Sequence, residues 1–216
     1  MLGFASVFFA CRKDTSVITE PQGYDYFPVN IGHTTVYDFD SVFIDTKVAA
    51  NDTVHYQIKE YVHSVFIDNS KRHSVRIERY IRYKQTDPWV IKNVYYALLT
   101  ATTAERVEEN QRYVKLIFPV RQDATWKGNA YTTQDDWDYT YTAVNTSLAV
   151  SGKTYDSTAT VTQVDELNLI ERLYSAETYA PHIGLISKEY IDEDRLPDGT
   201  IVKHVSCTYH IKSYTP

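Results

Sequence analysis

The stretch Val75-Arg76-Ile77-Glu78-Arg79-Tyr80-Ile81-Arg82-Tyr83-Lys84 decides the fold. Val75, Ile77, Ile81 and Tyr83 fall on one face, while Arg76, Glu78, Tyr80, Arg82 and Lys84 fall on the other. A period of two is the signature of a strand with one dry and one wet face. The same alternation recurs at Val114, Leu116, Phe118 and Val120. It appears again where Trp137, Tyr139 and Tyr141 interleave with Asp138, Thr140 and Thr142. Such half-wet strands belong to antiparallel sheets. Turn signals separate them at Asp68-Asn69-Ser70, Thr86-Asp87-Pro88, Lys127-Gly128-Asn129, Ser151-Gly152 and Pro197-Asp198-Gly199.

Helical periodicity is scarce. Thr103 to Arg112 is the best helical candidate, with Thr103 as cap and Glu105 in the first turn. Asp165 to Tyr174 fits a helix or a strand equally. The predicted fold is therefore all-β or β-dominated: a curved antiparallel sheet of about ten strands, an open or half barrel, with one or two short helices. An echo of an aromatic residue and a proline, Tyr26-Phe27-Pro28, Ile117-Phe118-Pro119 and Tyr179-Ala180-Pro181, reads as three strand entrances.

Residues Leu2 to Ala10 form an uncharged, largely apolar run that stops at Cys11-Arg12-Lys13-Asp14. A membrane-spanning helix needs about 20 apolar residues, so the run has the length of a signal-peptide core instead. Phe8-Phe9-Ala10-Cys11 resembles the lipobox of bacterial lipoproteins, although Phe9 is bulky for that pattern and no basic residue precedes the run. The expected organisation is a lipoprotein signal peptide over 1–10, a lipidated tether over 11–23 that starts at Cys11, and a single β-rich domain over 24–216. With Cys11 lipidated, Cys207 is the only thiol left, and its alternating context makes it a core residue. The net charge of −6 excludes nucleic acid as a partner and electrostatic adhesion to anionic lipid. Membrane attachment must then come from acyl chains, each buried methylene contributing about 0.8 kcal/mol.

Further phrases carry a family resemblance. They are Tyr26-Phe27-Pro28-Val29-Asn30-Ile31-Gly32, Arg76 to Tyr83, Glu109-Asn110 with Leu116 to Val120, Trp126-Lys127-Gly128-Asn129, Thr160-Val161-Thr162-Gln163, and Glu177 to Leu185. Together they resemble a family of uncharacterised exported lipoproteins common in Bacteroidetes. The chain departs from that pattern at Thr34-Thr35, where an aromatic often follows the glycine, and at His182, where glycine is commoner. The resemblance implies an exported, lipid-anchored β domain of the cell envelope, expected at the outer membrane. Asp40-Ser41-Val42, Asp52-Thr53-Val54 and Asp156-Ser157-Thr158 also resemble the O-glycosylation pattern of exported proteins in such bacteria, so Ser41, Thr53 and Ser157 are candidate acceptors.

No phosphate loop, paired Cys motif, zinc-protease motif or nucleophile elbow is present, so neither cofactor nor metal is expected. His204 and His210 lie about 20 Å apart along a strand, too far to share a metal. The acidic clusters Asp38-Phe39-Asp40, Asp135 to Asp138 and Asp192 to Asp194 match no calcium loop. Arg79 stands on the apolar face and needs a partner there, either Glu109 or another acid, or a ligand carboxylate or phosphate. Nineteen tyrosines suggest rings with one apolar end and one wet end. These observations make Arg79, Tyr83, Tyr139 and Tyr141 the candidate ligand-binding residues. The expected role is non-enzymatic binding of an amphiphilic small molecule or an envelope protein; the alternatives are an extracytoplasmic glycan hydrolase and a purely architectural envelope protein.

Overall fold

The computed structural model describes residues 22–134 and 136–216; the leader, Cys11 and residues 12–21 of the tether lie outside them. From Thr34 onward the alternation becomes one sheet of twelve antiparallel strands. The first meander is β1 (Thr34–Asp45), β2 (Ala50–Ile67), β3 (His73–Arg82), β4 (Val90–Leu99), β5 (Thr103–Glu108) and β6 (Gln111–Ile117). The second is β7 (Thr125–Lys127), β8 (Asp138–Val150), β9 (Lys153–Leu167), β10 (Glu171–Ala180), β11 (Gly184–Arg195) and β12 (Ile201–Thr215). They join through β1 and β12, whose pairing runs from Thr34 opposite Thr215 to Asp45 opposite Lys203. The outer strands β6 and β7 curl toward each other. Val114 N–H donates to Gly128 O at 2.7 Å, the Trp126 indole donates to Val114 O at 2.7 Å, and Arg112 bridges to Tyr131. The sheet is thus nearly closed into a barrel. Gly128 permits the seam, because a Cβ there would lie 2.2 Å from the Tyr139 ring.

The helix expected over Thr103 to Arg112 is instead the β5–β6 hairpin. Glu109 and Asn110 both take positive φ, 49° and 64°, as a two-residue type I′ turn requires. Its alternation was masked because Arg106 and Glu108 occupy inward positions in place of apolar residues. Asp165 to Tyr174 resolves as the β9–β10 hairpin, with Asn168 Oδ1 accepting the N–H groups of Ile170 and Glu171. Among the described residues, the helical content is one 3-10 turn, Tyr24–Tyr26.

That turn belongs to a segment, residues 22–33, that crosses one end of the barrel. Gln22 O accepts from Val120 N, Tyr24 OH donates to Ala101 O, Asp25 O accepts from His182 N, and Gly32 N donates to Val62 O. Tyr26 OH meets Ser157 Oγ at 3.0 Å, and His33 Nε2 donates to Ile183 O at 3.1 Å. Gly23, at φ 81°, is the residue this crossing requires, since a Cβ would meet Val120 at 2.7 Å. The three aromatic-proline phrases gather at this end. Two of them follow strands: Pro119 comes after β6 and Pro181 after β10. The hairpin turns at 46–49, 168–170 and 196–200 lie at the opposite end.

Candidate functional site

Alternation also determines what the lumen contains. Glu60 shares its parity with Ile58 and Val62, Arg79 with Ile77 and Ile81, and Arg106 and Glu108 with Ala104. Lys115 turns inward at a bulge where Ala104 pairs Leu116 but Glu105 pairs Val114. Glu177 on β10 and Lys188 on β11 complete the group. All seven line one cavity of about 80 Å³, closed on one side by Phe27 and Pro28 of the crossing segment.

The pairing within this belt is specific. Arg106 grips Glu60 with both terminal nitrogens, at 3.0 and 2.5 Å, and its Nε lies 2.7 Å from Glu108 Oε1. Glu177 Oε1 is shared by Lys115 at 2.9 Å and Lys188 at 3.2 Å, while its Oε2 accepts the Tyr179 hydroxyl at 2.6 Å. Arg79 donates to two phenols, Tyr95 at 3.0 Å and Tyr209 at 2.6 Å, and its Nε stands 3.6 Å from Glu60.

Burial works to raise all three carboxyls, and the cations overcome it. Lys115, Arg106 and Lys188 bring Glu108 down to about 2; Lys115 and Lys188 hold Glu177 well below the usual range; Arg106 and Arg79 do the same for Glu60. Burial pulls Lys115 and Lys188 toward neutrality, but Glu177 keeps both charged. Burial also pushes the Tyr37, Tyr139 and Tyr179 hydroxyls far above their ordinary value and lifts the Cys207 thiol. The arrangement is a self-neutralising belt whose carboxylates stay ionised.

The candidate binding residues separate. Arg79 lies in the belt, and its acidic neighbour is Glu60, not Glu109. Tyr83 is exposed and connects to Arg79 through a file of rings: Tyr209 to Phe39 at 4.9 Å, Phe39 to Tyr56 at 4.5 Å, and Tyr56 to Tyr83 at 5.8 Å. Tyr139 and Tyr141 are buried against Trp126 in an apolar tier with Tyr26, Phe27, Phe118 and Val161. The Tyr141 hydroxyl donates to Ile117 O at 2.9 Å and accepts from Ile117 N at 3.2 Å. The sequence reading found Arg79 but missed its six charged companions. Of those six, Glu60 between Ile58 and Val62, Lys188 between Ile186 and Tyr190, and Lys115 flanked by Val114 and Leu116 carry the same signal of a charge among apolar residues, whereas Arg106, Glu108 and Glu177 have polar residues at same-parity positions and carry no such signal.

Of the candidate glycosylation residues, Thr53 is exposed, Ser41 is half-buried, and Ser157 Oγ is engaged by Tyr26 and Asn145. The acidic clusters meet basic side chains: Asp38 faces Lys212, Asp40 faces His55, Asp138 faces Lys127, and Glu193 faces Arg195 and His204. Among the described residues no group of three or more His, Cys, Asp or Glu side chains is arranged to hold a metal ion.

No family model matches the chain, and no curated protein matches it. Solved structures similar to it include a "putative exported protein with YmcC-like fold" from Bacteroides fragilis. The TM-score is 0.44 at 9% identity, covering 87% of this chain and 98% of that one. Another is a "putative lipoprotein" from Parabacteroides distasonis, with a TM-score of 0.44 at 11% identity, covering 91% of this chain and 100% of that one. Both source organisms are Bacteroidetes, the group whose exported lipoproteins the sequence resembles.

Proposed function

We propose that the protein is a lipid-anchored envelope lipoprotein that holds a protein partner on the hairpins of its far end. The observation carrying this reading is a set of apolar side chains exposed on three adjacent hairpins. Val48 and Leu169 are 69% and 68% exposed, and Ile170, Leu196 and Ile201 stand beside them in the solvent. The hairpins touch one another, since Thr46 N–H donates to Val202 O at 2.9 Å and Arg195 N–H to Ile170 O at 2.7 Å. Scattered exposed hydrophobics are ordinary, but neighbouring ones at one end mark an interaction surface.

Polarity of the barrel supports a partner over the anchoring membrane. The described chain enters at the crossing segment, and β1 climbs twelve residues, about 40 Å, before reaching the apolar turns. A lipid on Cys11 and at most roughly 40 Å of chain from there to Gln22 favour the entry end toward the bilayer and the apolar turns away from it. The outer membrane is the expected site of that anchor. The lumen offers little to an acyl chain, because about 80 Å³ beside Arg79 suits several waters. A glycan hydrolase needs one carboxyl kept protonated as an acid, whereas the three lumen carboxylates are held ionised.

The test uses the native host. A clickable fatty acid should label the wild type and not Cys11→Ser. A photo-cross-linker at Leu169 or Ile201 should trap one protein, and the adduct should disappear with Leu196→Asp. A cross-linker at Lys71, near the other end, should trap nothing. Equal adducts from Lys71, or lipid adducts from Leu169, would overturn the partner surface.

A second reading, a small amphiphile, is favoured by a cleft of about 290 Å³ on the outer face, lined by Phe66, Ile67, Tyr96, Leu98 and Val107. Arg112 and Glu105 pair at 2.5 Å beside it. A fluorescent amphiphile displaced from the wild type but not bound by Tyr96→Ala would support that site.

A further inference from the structure

The belt does not balance. Four cations, Arg79, Arg106, Lys115 and Lys188, face three carboxylates, Glu60, Glu108 and Glu177, around the same cavity. His33 also lines it, but burial lowers its pKa and it spends its Nε2 proton on Ile183 O, so it adds no charge at neutral pH. One positive charge is left over in a partly enclosed space, where an uncompensated charge costs more than in open water.

The surplus can be located. Arg106 has Glu60 and Glu108, and Lys115 has Glu177. Arg79 has only neutral phenols within hydrogen-bond distance, and its buried Nε makes no hydrogen bond. Lys188 holds merely a share of an oxygen already taken by Lys115. Tyr209, which accepts from Arg79, keeps its own hydroxyl hydrogen, and no acceptor for it stands among the described residues. Lys188 Nζ lies 5.8 Å from the centre of that Tyr209 ring. Donors without acceptors and a surplus cation therefore converge on one small hollow. Lys188 and Glu108 remain about a quarter exposed, 24% and 26%, which gives solvent ions a way in.

We infer that the lumen binds one small monovalent anion, chloride or a short carboxylate such as formate, between Arg79, Tyr209 and Lys188. The hollow has volume for an ion and its remaining waters, and a single negative charge brings the belt to neutrality. A divalent anion overshoots that balance, which sets the preference for monovalent ions. The site is independent of the far-end surface, so either proposal can fail alone.

The experiment measures thermal unfolding of the full chain at constant ionic strength while sodium isethionate, whose anion is too bulky for the hollow, is replaced by chloride or formate. The expected result is a rise in Tm for both ions that is steep at low concentration and flattens to a dependence on the logarithm of ion concentration above Kd, since a ligand at free concentration L that binds only the folded state stabilises it by RT ln(1 + L/Kd). Replacement by sulfate should give no such curved rise. Lys188→Met removes the surplus charge yet leaves Glu177 paired with Lys115, and it should abolish the response. Lys203→Met, at a half-buried lysine paired with Asp192 away from the lumen, should preserve it. Crystals soaked in bromide should give an anomalous peak beside Arg79 and Lys188, which keeps the inference testable if Lys188→Met does not fold. No logarithmic rise with chloride or formate in the wild type, an unchanged response in Lys188→Met, or a lumen without bromide would each overturn it.

Discussion

The lumen has two tiers of opposite chemistry. The apolar tier, under the crossing segment, packs Tyr26, Phe27, Phe118, Tyr141 and Val161 against one another. The belt above it is charged, with Glu177 and Lys115 only 3% and 6% exposed. Apolar packing loses stability in proportion to what is removed, because neighbours relax into part of the gap. A buried ion pair behaves differently: removing one member leaves the other charged and stranded, whereas removing all members together relieves the desolvation they share. The first tier should therefore respond to mutation by degrees and the second abruptly.

The largest effect should come from Glu177→Ala, which strands two ammoniums and the Tyr179 hydroxyl; the expected loss is about 3–5 kcal/mol in denaturant unfolding. Glu177→Leu combined with Lys115→Leu and Lys188→Met should recover at least half of it. A combined variant weaker than Glu177→Ala would break the comparison.

Acid titration gives the next effect. Glu60, Glu108 and Glu177 have folded pKa values below their unfolded ones, so their stabilisation is fully present above about 4.5 and is lost as pH falls toward the folded values, about 2 for Glu108. His33 adds an earlier decline: burial keeps it neutral in the barrel, so below about 6.5 the unfolded chain takes the proton first. Tm followed from pH 7 to pH 2 should show both steps, and Glu108→Gln should shrink only the lower one.

Within the apolar tier, Tyr141→Phe keeps the ring and removes both hydrogen bonds to Ile117, an expected loss of about 1–2 kcal/mol. At His182, φ is 64° and the side chain is 80% exposed, 3.8 Å from Asp25. Left-handed backbone disfavours a side chain, so His182→Gly should stabilise by about 0.5 kcal/mol after glycine's entropy is set against it. The positive φ also gives a physical reason for the glycine common there in the resembling family. Leu169→Asp, at an exposed turn, should change unfolding by less than about 0.5 kcal/mol, so any lost cross-link there reports on binding.

Much of the sheet was legible because period two survives wherever inward residues are apolar, as from Val75 to Tyr83 and from Val114 to Val120. It failed at Thr103 to Arg112, where inward Arg106 and Glu108 imitate a polar helix surface. Arg79 was legible as a misfit on a dry face. Its neighbours were not, since Glu60 comes from β2, Arg106 from β5 and Tyr209 from β12, and only closure of the barrel brings such distant strands together. Tyr139 and Tyr141 were readable as facing inward, but not as filling a tier far from the exposed Tyr83.

The pairing of β1 with β12 puts the first and last strands of the domain side by side in the middle of the sheet. Each meander can zip locally as it appears, yet the midline between them waits for the final fifteen residues. Long-range closure of this kind is slow, and until it happens neither the belt nor the apolar tier has its full set of neighbours. A chain built this way reaches its rigid form only when its last strand is free to pair.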